Sequence, residues 1–398
     1  MNLFGIPLEF FVFAATLVAI ASFHNLALHS ALAGLAVTAG LKLLDLGGFD
    51  GLMWLGHHFA HEWPLLANLF LLLIGFAVLA NHFELSDIPD SLPPLLPQSW
   101  WGGVILLGIV FTMSIFLDNI AAAIIGGVMA RHVYRDQVGT GYLAAIVAAS
   151  NAGGAGSVIG DTTTTMMWIS GVSPLVVASA FLASLAAFAI FAPLAALQQQ
   201  RLAPAQTTKD VSVTIDWPRG IIVLLLLLSI MAINIGGNAW ARSLLGIGPW
   251  LGMGLWLTIL LTAAWRRPDW SVVSGATSGA TFLVALVAIA SMMPVQQLPV
   301  ASWQTVLGLG FLSAVFDNIP LTALALKQGG YDWGLLAYAV GFGGSMVWFG
   351  SSAGVALSNL YPNEVRTLGG WIRFGWFVPP AYVAGFFVLL LGLGWRPT

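Results

Sequence analysis

Cysteine is absent from the chain, and charge is scarce. Without cysteine there is no disulfide, no thiolate metal ligand and no cysteine nucleophile. Lys and Arg number 13 and Asp and Glu 16, so charged side chains make up 7% of the 398 residues, against about 25% in a soluble globular domain. The formal net charge of −3 offers no basic field for nucleic acid. Histidine is missing from the last two thirds: His24, His29, His57, His58, His61, His82 and His132 are all seven of them. What remains is apolar, at 59% hydrophobic with a mean hydropathy of +0.91. A soluble fold of this size has no interior large enough for so much apolar surface. The 17 Trp and 45 Gly suit a lipid-embedded protein: Trp favours membrane interfaces and Gly lets spanning helices approach closely.

Residues 1–7 carry no Lys or Arg, and the apolar run 8–23 lacks a small-residue cleavage site, so it reads as a retained first helix. A spanning helix needs about 20 mostly apolar residues. Such runs are expected at 8–23, 26–46, 64–82, 100–118, 174–197, 220–236, 249–265, 272–293, 303–317 and 371–394. Two further apolar stretches, 142–171 and 333–360, are too rich in Gly to cross simply. The expected fold is an all-α polytopic membrane protein of about ten to twelve transmembrane segments. The polar stretch 199–218 divides it into a first half, 1–198, and a second half, 219–398. A second solvent loop, 84–98, is acidic and Pro-rich. With Lys42, Arg131 and Arg135 on the side of the N-terminus, the positive-inside rule places that terminus in the cytoplasm of a plasma-membrane protein.

The second half repeats the first. Phe116-Leu117-Asp118-Asn119-Ile120 matches Val315-Phe316-Asp317-Asn318-Ile319. Downstream, Gly153-Gly154 leads to Gly160-Asp161-Thr162 and Gly343-Gly344 leads to Gly350-Ser351-Ser352, with a gap of seven each time (160 − 153 and 350 − 343). Transporters built from two inverted repeats place broken helices at a site near the bilayer midplane. Irregular backbone at that depth persists only where protein or a cavity surrounds it. Each half is therefore expected to hold one helix broken at Asp-Asn and one re-entrant hairpin tipped by Gly-Gly.

A carboxylate within a span costs roughly 2.5–3.5 kcal/mol on insertion scales. Asp118, Asp161 and Asp317 lie in apolar sequence with no Lys or Arg nearby. They read as ligands for a small cation such as sodium, although Asp is also a good helix N-cap. Asn119 and Asn318 add amide oxygens beside two of them, and Asn151 lies near the first tip. Thr163, Thr164, Ser345 and Ser351 add hydroxyls. Hard cations take several oxygen ligands. Low dielectric and a neighbouring carboxylate both favour a protonated acid, so such a site holds either a proton or a cation, and that competition by itself yields exchange. No cofactor is expected, since the ions are cargo, and no catalytic residue is expected. His57 and His61 have the i, i+4 spacing of a metal pair beside Glu62, but nothing later completes a metalloenzyme site, and they read as interfacial loop histidines. His24 and His82 lie nearer the spans and are candidates for tuning pH response.

The run Phe116-Leu117-Asp118-Asn119 followed by Ser157-Val158-Ile159-Gly160-Asp161-Thr162-Thr163-Thr164-Thr165-Met166-Met167-Trp168-Ile169 resembles the NhaD-type sodium/proton antiporters. So do Ser313-Ala314-Val315-Phe316-Asp317-Asn318-Ile319-Pro320-Leu321, the run from Gly343-Gly344-Ser345 to Gly350-Ser351-Ser352-Ala353-Gly354, and Ala67-Asn68-Leu69-Phe70-Leu71. That family belongs to the ion transporter superfamily, with arsenite, citrate and divalent-anion carriers. The resemblance implies inverted repeats, a scaffold and a mobile transport domain, often a homodimer, and ion binding by Asp118, Asn119, Asp161, Thr163, Thr164, Asp317 and Ser345. The chain departs from the family pattern at Asn68, where a Glu is usual, and at Thr162, where the family usually reads Val. The expected function is exchange of sodium or lithium for protons. The alternative is a cation-coupled carrier of an anion such as citrate, a dicarboxylate or arsenite, which three carboxylates near one site disfavour.

Overall fold

A computed structural model describes the chain except residues 1, 4, 5, 23–25, 89–90, 92–95, 205–213, 241–247, 295–298, 316–317, 362 and 366. Asp317 and His24 therefore lie outside the described residues. A two-residue antiparallel pair, β1 (Asn2–Leu3) and β2 (Ile6–Pro7), precedes a succession of helices. These are α1 (Leu8–Ser22), α2 (Ala27–Leu46), α3 (Gly48–Glu84), α4 (Trp100–Ser114), α5 (Asn119–Val133), α6 (Thr140–Ala155), α7 (Thr162–Ile169), α8 (Pro174–Ala178) and α9 (Ala180–Leu202). The second half continues with α10 (Trp217–Trp240), α11 (Trp250–Thr262), α12 (Ser271–Ser291), α13 (Trp303–Ser313), α14 (Asn318–Gln328), α15 (Trp333–Gly343), α16 (Ser352–Leu360), α17 (Leu368–Phe374) and α18 (Val378–Leu393).

Among the described residues three helical stretches are apolar and long enough to cross a membrane: Gly48–Glu84, Pro174–Leu202 and Ser271–Ser291. The pair α17 and α18 would make a fourth, bent by 57° at Gly375–Phe377 where one straight span was expected at 371–394. The helices on either side of the Asp-Asn breaks are individually short. α4 and α5 have 15 residues each, about 22 Å at roughly 1.5 Å per residue. A second difference from expectation lies at 48–63. The stretch read as a histidine-bearing loop is the first part of α3, which runs 37 residues with Pro64 in its interior. Apolar helices tolerate an interior proline because neighbouring helices and side chains re-satisfy the freed backbone groups.

The chain forms two compact units, each discontinuous in sequence. One comprises residues 1–79, 222–300 and 323–329. Its α1 and α2 are joined by the part-buried ion pair Glu9–Lys42 at 2.6 Å. Asn68 of α3 is buried, and its Oδ1 accepts from the Gly252 N–H in the first turn of α11 at 3.0 Å, satisfying a donor that the helix itself leaves open. Trp256 Nε1 donates to the Leu71 carbonyl beside it. Lys327 Nζ closes the end of α12, donating to the carbonyls of Ser291 and Met293, while His58 Nε2 meets Ser291 Oγ at 2.9 Å.

The other unit comprises residues 80–221, 301–322 and 330–398. Its centre is α6, on which every residue from Gly141 to Ala155 is buried. The run Ala144-Ala145-Ile146-Val147-Ala148-Ala149 is small enough for neighbours to approach on all sides, and α4, α5, α9, α15 and α17 do so. Polar side chains stitch this packing. Tyr142 Oη donates to the Gly103 carbonyl, Tyr338 Oη to the Tyr382 carbonyl and Tyr382 Oη to the Leu307 carbonyl. The rings of Tyr338, Phe342 and Tyr382 stack within 15° of parallel.

Candidate ion-binding site

All the described candidate residues fall in this second unit. The backbone places them in two matched constructions. α6, the turn at 156–161 and α7 form one helix–turn–helix hairpin. α15, a single 3-10 turn at Gly344–Met346, the turn at 347–351 and α16 form the other. Two helix breaks accompany them, between α4 and α5 and between α13 and α14.

Glycine makes each hairpin fit against its break. A Cβ on Gly153 would collide with the Phe111 carbonyl of α4, and one on Gly343 would collide with the Gly310 carbonyl of α13. Gly160 faces the Ser114 carbonyl and Gly350 the Ala314 carbonyl in the same way. Within the tips, Gly154 packs on Gly160 and Gly344 on Gly350. The Gly-Gly-x5-Gly spacing is thus the footprint of a hairpin closed on itself and pressed against a broken helix. Ser114 Oγ donates to the Ser150 carbonyl at 2.5 Å, and Ser313 Oγ donates to the Val340 carbonyl at 2.6 Å. Neither serine was singled out from sequence as a site residue. The available signal was a Ser four residues ahead of Asp118 and of Asp317 alike.

The side chains at the tips form one hydrogen-bonded chain. Asn119, the first residue of α5, donates from Nδ2 to Asn151 Oδ1 at 3.0 Å. Asn151 Nδ2 in turn donates to Ser345 Oγ at 2.9 Å and to Ser351 Oγ at 3.1 Å. All four are buried. Burying four uncharged polar side chains together is tolerable only because they satisfy one another. Ser351 is also the N-cap of α16, accepting from the Gly354 N–H.

Asp161 is the N-cap of α7. Its carboxylate accepts from the Thr163 N–H at 3.3 Å and from Thr163 Oγ1 at 2.7 Å, and it is 3% exposed. Capping and ion binding are compatible in this residue, since a carboxylate has about four acceptor sites. Asp118 stands at the N-cap position of α5, but its side chain makes no cap hydrogen bond there, so capping does not account for it. Thr164 turns elsewhere: its hydroxyl donates to the main-chain carbonyls of Ser157 and Asp161 and closes the turn. Thr165 does likewise with Val158 and Asp161. Asn318 heads α14 and is buried, with Thr322 Oγ1 donating to its carbonyl.

These elements bring helix ends of both polarities into the unit. The starts of α5, α7 and α16 carry partial positive charge, and the ends of α4, α6 and α13 offer carbonyl oxygens. Asp118 and Asp161 counter two of the positive ends, while Ser351 leaves the third neutral. The result is a set of carboxylate, amide, hydroxyl and carbonyl oxygens suited to a small hard cation.

His57 and His61 belong to the first unit and His82 to the second. His57 and His61 are exposed on α3, and His61 Nδ1 stands 3.6 Å from Glu62 Oε1. Among the described residues no group of three or more His, Cys, Asp or Glu side chains is placed to hold a metal ion. His82 is buried and faces Arg219, with 3.2 Å between Nδ1 and Nη1. Arg only donates, so Nδ1 accepts.

No family model matches the chain. Curated proteins do. It is 29% identical over 295 residues to sodium/proton antiporter 1 of Arabidopsis thaliana, an alignment covering 63% of this chain and 49% of that protein. It is 27% identical over 295 residues to sodium/proton antiporter 2 of the same plant, covering 63% and 67%. With the Na(+)/H(+) antiporter NhaD of Vibrio cholerae it shares 30% identity over 262 residues, 53% of each chain. The chain spans about half the length of the first of these relatives, and its similarity to sodium/proton antiporters agrees with the resemblance carried by the Asp-Asn and Gly-Asp-Thr motifs.

Proposed function

We propose that the chain is a membrane-embedded secondary active transporter that exchanges sodium or lithium for protons by alternating access. The observation that carries this reading is the buried chain Asn119–Asn151–Ser345/Ser351, built across both hairpins, the first of which also carries the buried carboxylate of Asp161. The named activity of the three relatives supports it. Asp118, Asp161 and Asp317 supply charge, with Asn119, Asn151, Thr163, Ser345 and Ser351 as further oxygen donors. One set of carboxylates binding either protons or a metal cation suffices for exchange, with no separate proton path. In this reading the halves 1–198 and 219–398 are inverted repeats with about ten to twelve spans in all. The hairpins are re-entrant, the protein sits in the plasma membrane, and it works as a homodimer.

An anion carrier would use the start of α7 as its anion site. The Asp161 carboxylate already occupies that helix start, which disfavours the anion reading. The test is dequenching of a pH-sensitive dye in everted vesicles on addition of sodium, lithium or potassium. Dequenching with sodium or lithium that vanishes in Asp317→Asn establishes antiport through this site. Silence with all three cations between about pH 6.5 and 9, with sodium-driven citrate uptake in proteoliposomes, establishes the anion carrier instead.

A further inference from the structure

The chain leaves the first unit within α3, between residues 79 and 80, and returns to it within α10, between residues 221 and 222. Everything from α4 to α9 is built on that excursion, including the first broken helix and the hairpin that carries Asn151 and Asp161. The second unit closes the neck of the excursion with polar bonds. His82 lies just past the first crossing and Arg219 just before the second. Arg219 Nη1 donates to His82 Nδ1 across 3.2 Å, although 137 residues separate the two in sequence. Arg219 Nε stands 3.4 Å from Asp216 Oδ2, and the Asp216 N–H donates to the Ser86 carbonyl at 3.0 Å. A Cβ on Gly220 would meet Ile88 at 3.0 Å, so the first turn of α10 lies close on the turn that follows α3.

The chemistry of this neck asks for a reason. His82 is 1% exposed and the Arg219 side chain 18%. Apolar side chains of similar volume hold two buried helix ends as firmly, but they do not fix one alignment. A guanidinium donating to a bare imidazole nitrogen does, because the bond is directional. Compact units joined through continuous helices move by hinge or shear at those joints. The joints then decide whether α4 to α9 travel along one path or several.

We infer that His82 and Arg219 are positioning residues for exchange: their bond makes the end of α3 and the start of α10 one strut, and both crossings move together each time access changes sides. The inference rests on the reading of the chain as an alternating-access exchanger. Neither residue is among the candidate ion ligands, so the pair governs how fast access changes and not how tightly sodium is held.

The full-length protein in proteoliposomes tests this, with maximal rate and half-saturating sodium measured per amount of monodisperse protein. His82→Leu and Arg219→Leu are each expected to lower the maximal rate about tenfold, with half-saturating sodium within about twofold of wild type. His82→Gln keeps an oxygen that can accept from Arg219, and should recover the rate to within about threefold. The double leucine variant should be no slower than either single one, since both remove the same bond. A covalent strut separates positioning from simple stability. The chain has no cysteine, so Ser86→Cys with Asp216→Cys introduces one disulfide-forming pair where the two backbones already meet. Oxidation should leave exchange intact relative to the reduced form, and should restore the rate when His82→Leu is added. Should the leucine variants not fold, the disulfide in the chain with His82 still decides. Exchange blocked by the disulfide overturns the proposal, because the helix ends then part during the cycle. Wild-type rates in His82→Leu, or a defect in His82→Gln as deep as in His82→Leu, overturn the proposal alone. Absence of sodium- or lithium-driven exchange in the wild type overturns the underlying reading and the proposal with it.

Discussion

The two hairpins share a backbone and differ in chemistry. Both press a glycine pair onto a broken helix, both close their tips glycine on glycine, and both start the next helix with a capping side chain. The first tip caps with Asp161 and carries Asn151. The second caps with Ser351 and has Gly341, two residues before its glycine pair, at the position that matches Asn151. Shared geometry shows what the backbone requires, and the differences mark where ion chemistry has been placed. Charge is concentrated on the first tip, and neutral hydroxyls on the second receive its amide.

Substitutions at matched positions can break this comparison. The largest difference is expected at the caps: Asp161→Asn removes charge while keeping a capping oxygen, and should reduce sodium-dependent dye dequenching to background without loss of folded protein. Retained exchange would move the charged role to Asp118 and Asp317. Next come the glycines that touch backbone. Gly153→Ala and Gly343→Ala should each cost about 3 kcal/mol or more, read as lost folded protein in detergent melts, and by similar amounts. A tolerated Gly343→Ala with an intolerant Gly153→Ala would show that the second tip is looser than its geometry indicates.

Asn151→Ala strands the donor of Asn119 and the hydroxyls of Ser345 and Ser351, and should cost about 2–4 kcal/mol together with a raised half-saturating sodium. Gly341→Asn cannot replace it, because the amide would point from the wrong hairpin. Arg131→Ala should cost about 2 kcal/mol. The guanidinium in the last turn of α5 donates to the Leu360 carbonyl at the end of α16 at 2.6 Å and lies over the Tyr361 ring. It thereby clasps the far ends of two helices whose near ends carry Asp118 and Ser351 at their caps. Arg131→Lys should recover part of the stability, and the comparison is a pair of melting curves. The smallest effect is expected for Ser351→Ala, about 1 kcal/mol for a lost N-cap, with exchange slowed and not abolished.

Much of the site was legible because helix breakers and membrane cost are local properties. A carboxylate in apolar sequence is expensive wherever it folds, which singled out Asp118, Asp161 and Asp317. Repeated Gly-Gly-x5-Gly marked both tips. Other features depended on neighbours. Thr164 reads as an ion ligand from its motif, yet its hydroxyl goes to main-chain carbonyls that the turn leaves open. Ser114 and Ser313 look like ordinary span residues until the hairpin carbonyls of Ser150 and Val340 are seen against them. Pro64 reads as a helix start by its usual preference, but α3 continues through it from Gly48. The bend at Gly375–Phe377 interrupts a continuous apolar run, so hydropathy alone gave no sign of it.

Composition by itself determined that this is a helical membrane protein, since 59% hydrophobic and 7% charged residues admit no aqueous fold of this size. The sequence also determined where helices break, because Asp-Asn and Gly-Gly act on the backbone within a turn or two. Only the tertiary structure decided which polar groups meet. Asn151 finds Ser345 and Ser351 at separations of 194 and 200 residues, and Gly341 faces Asp161 across the hairpins. Hydropathy and propensity are summed along the chain, whereas a hydrogen bond between distant residues exists only once packing has brought its partners within about 3 Å.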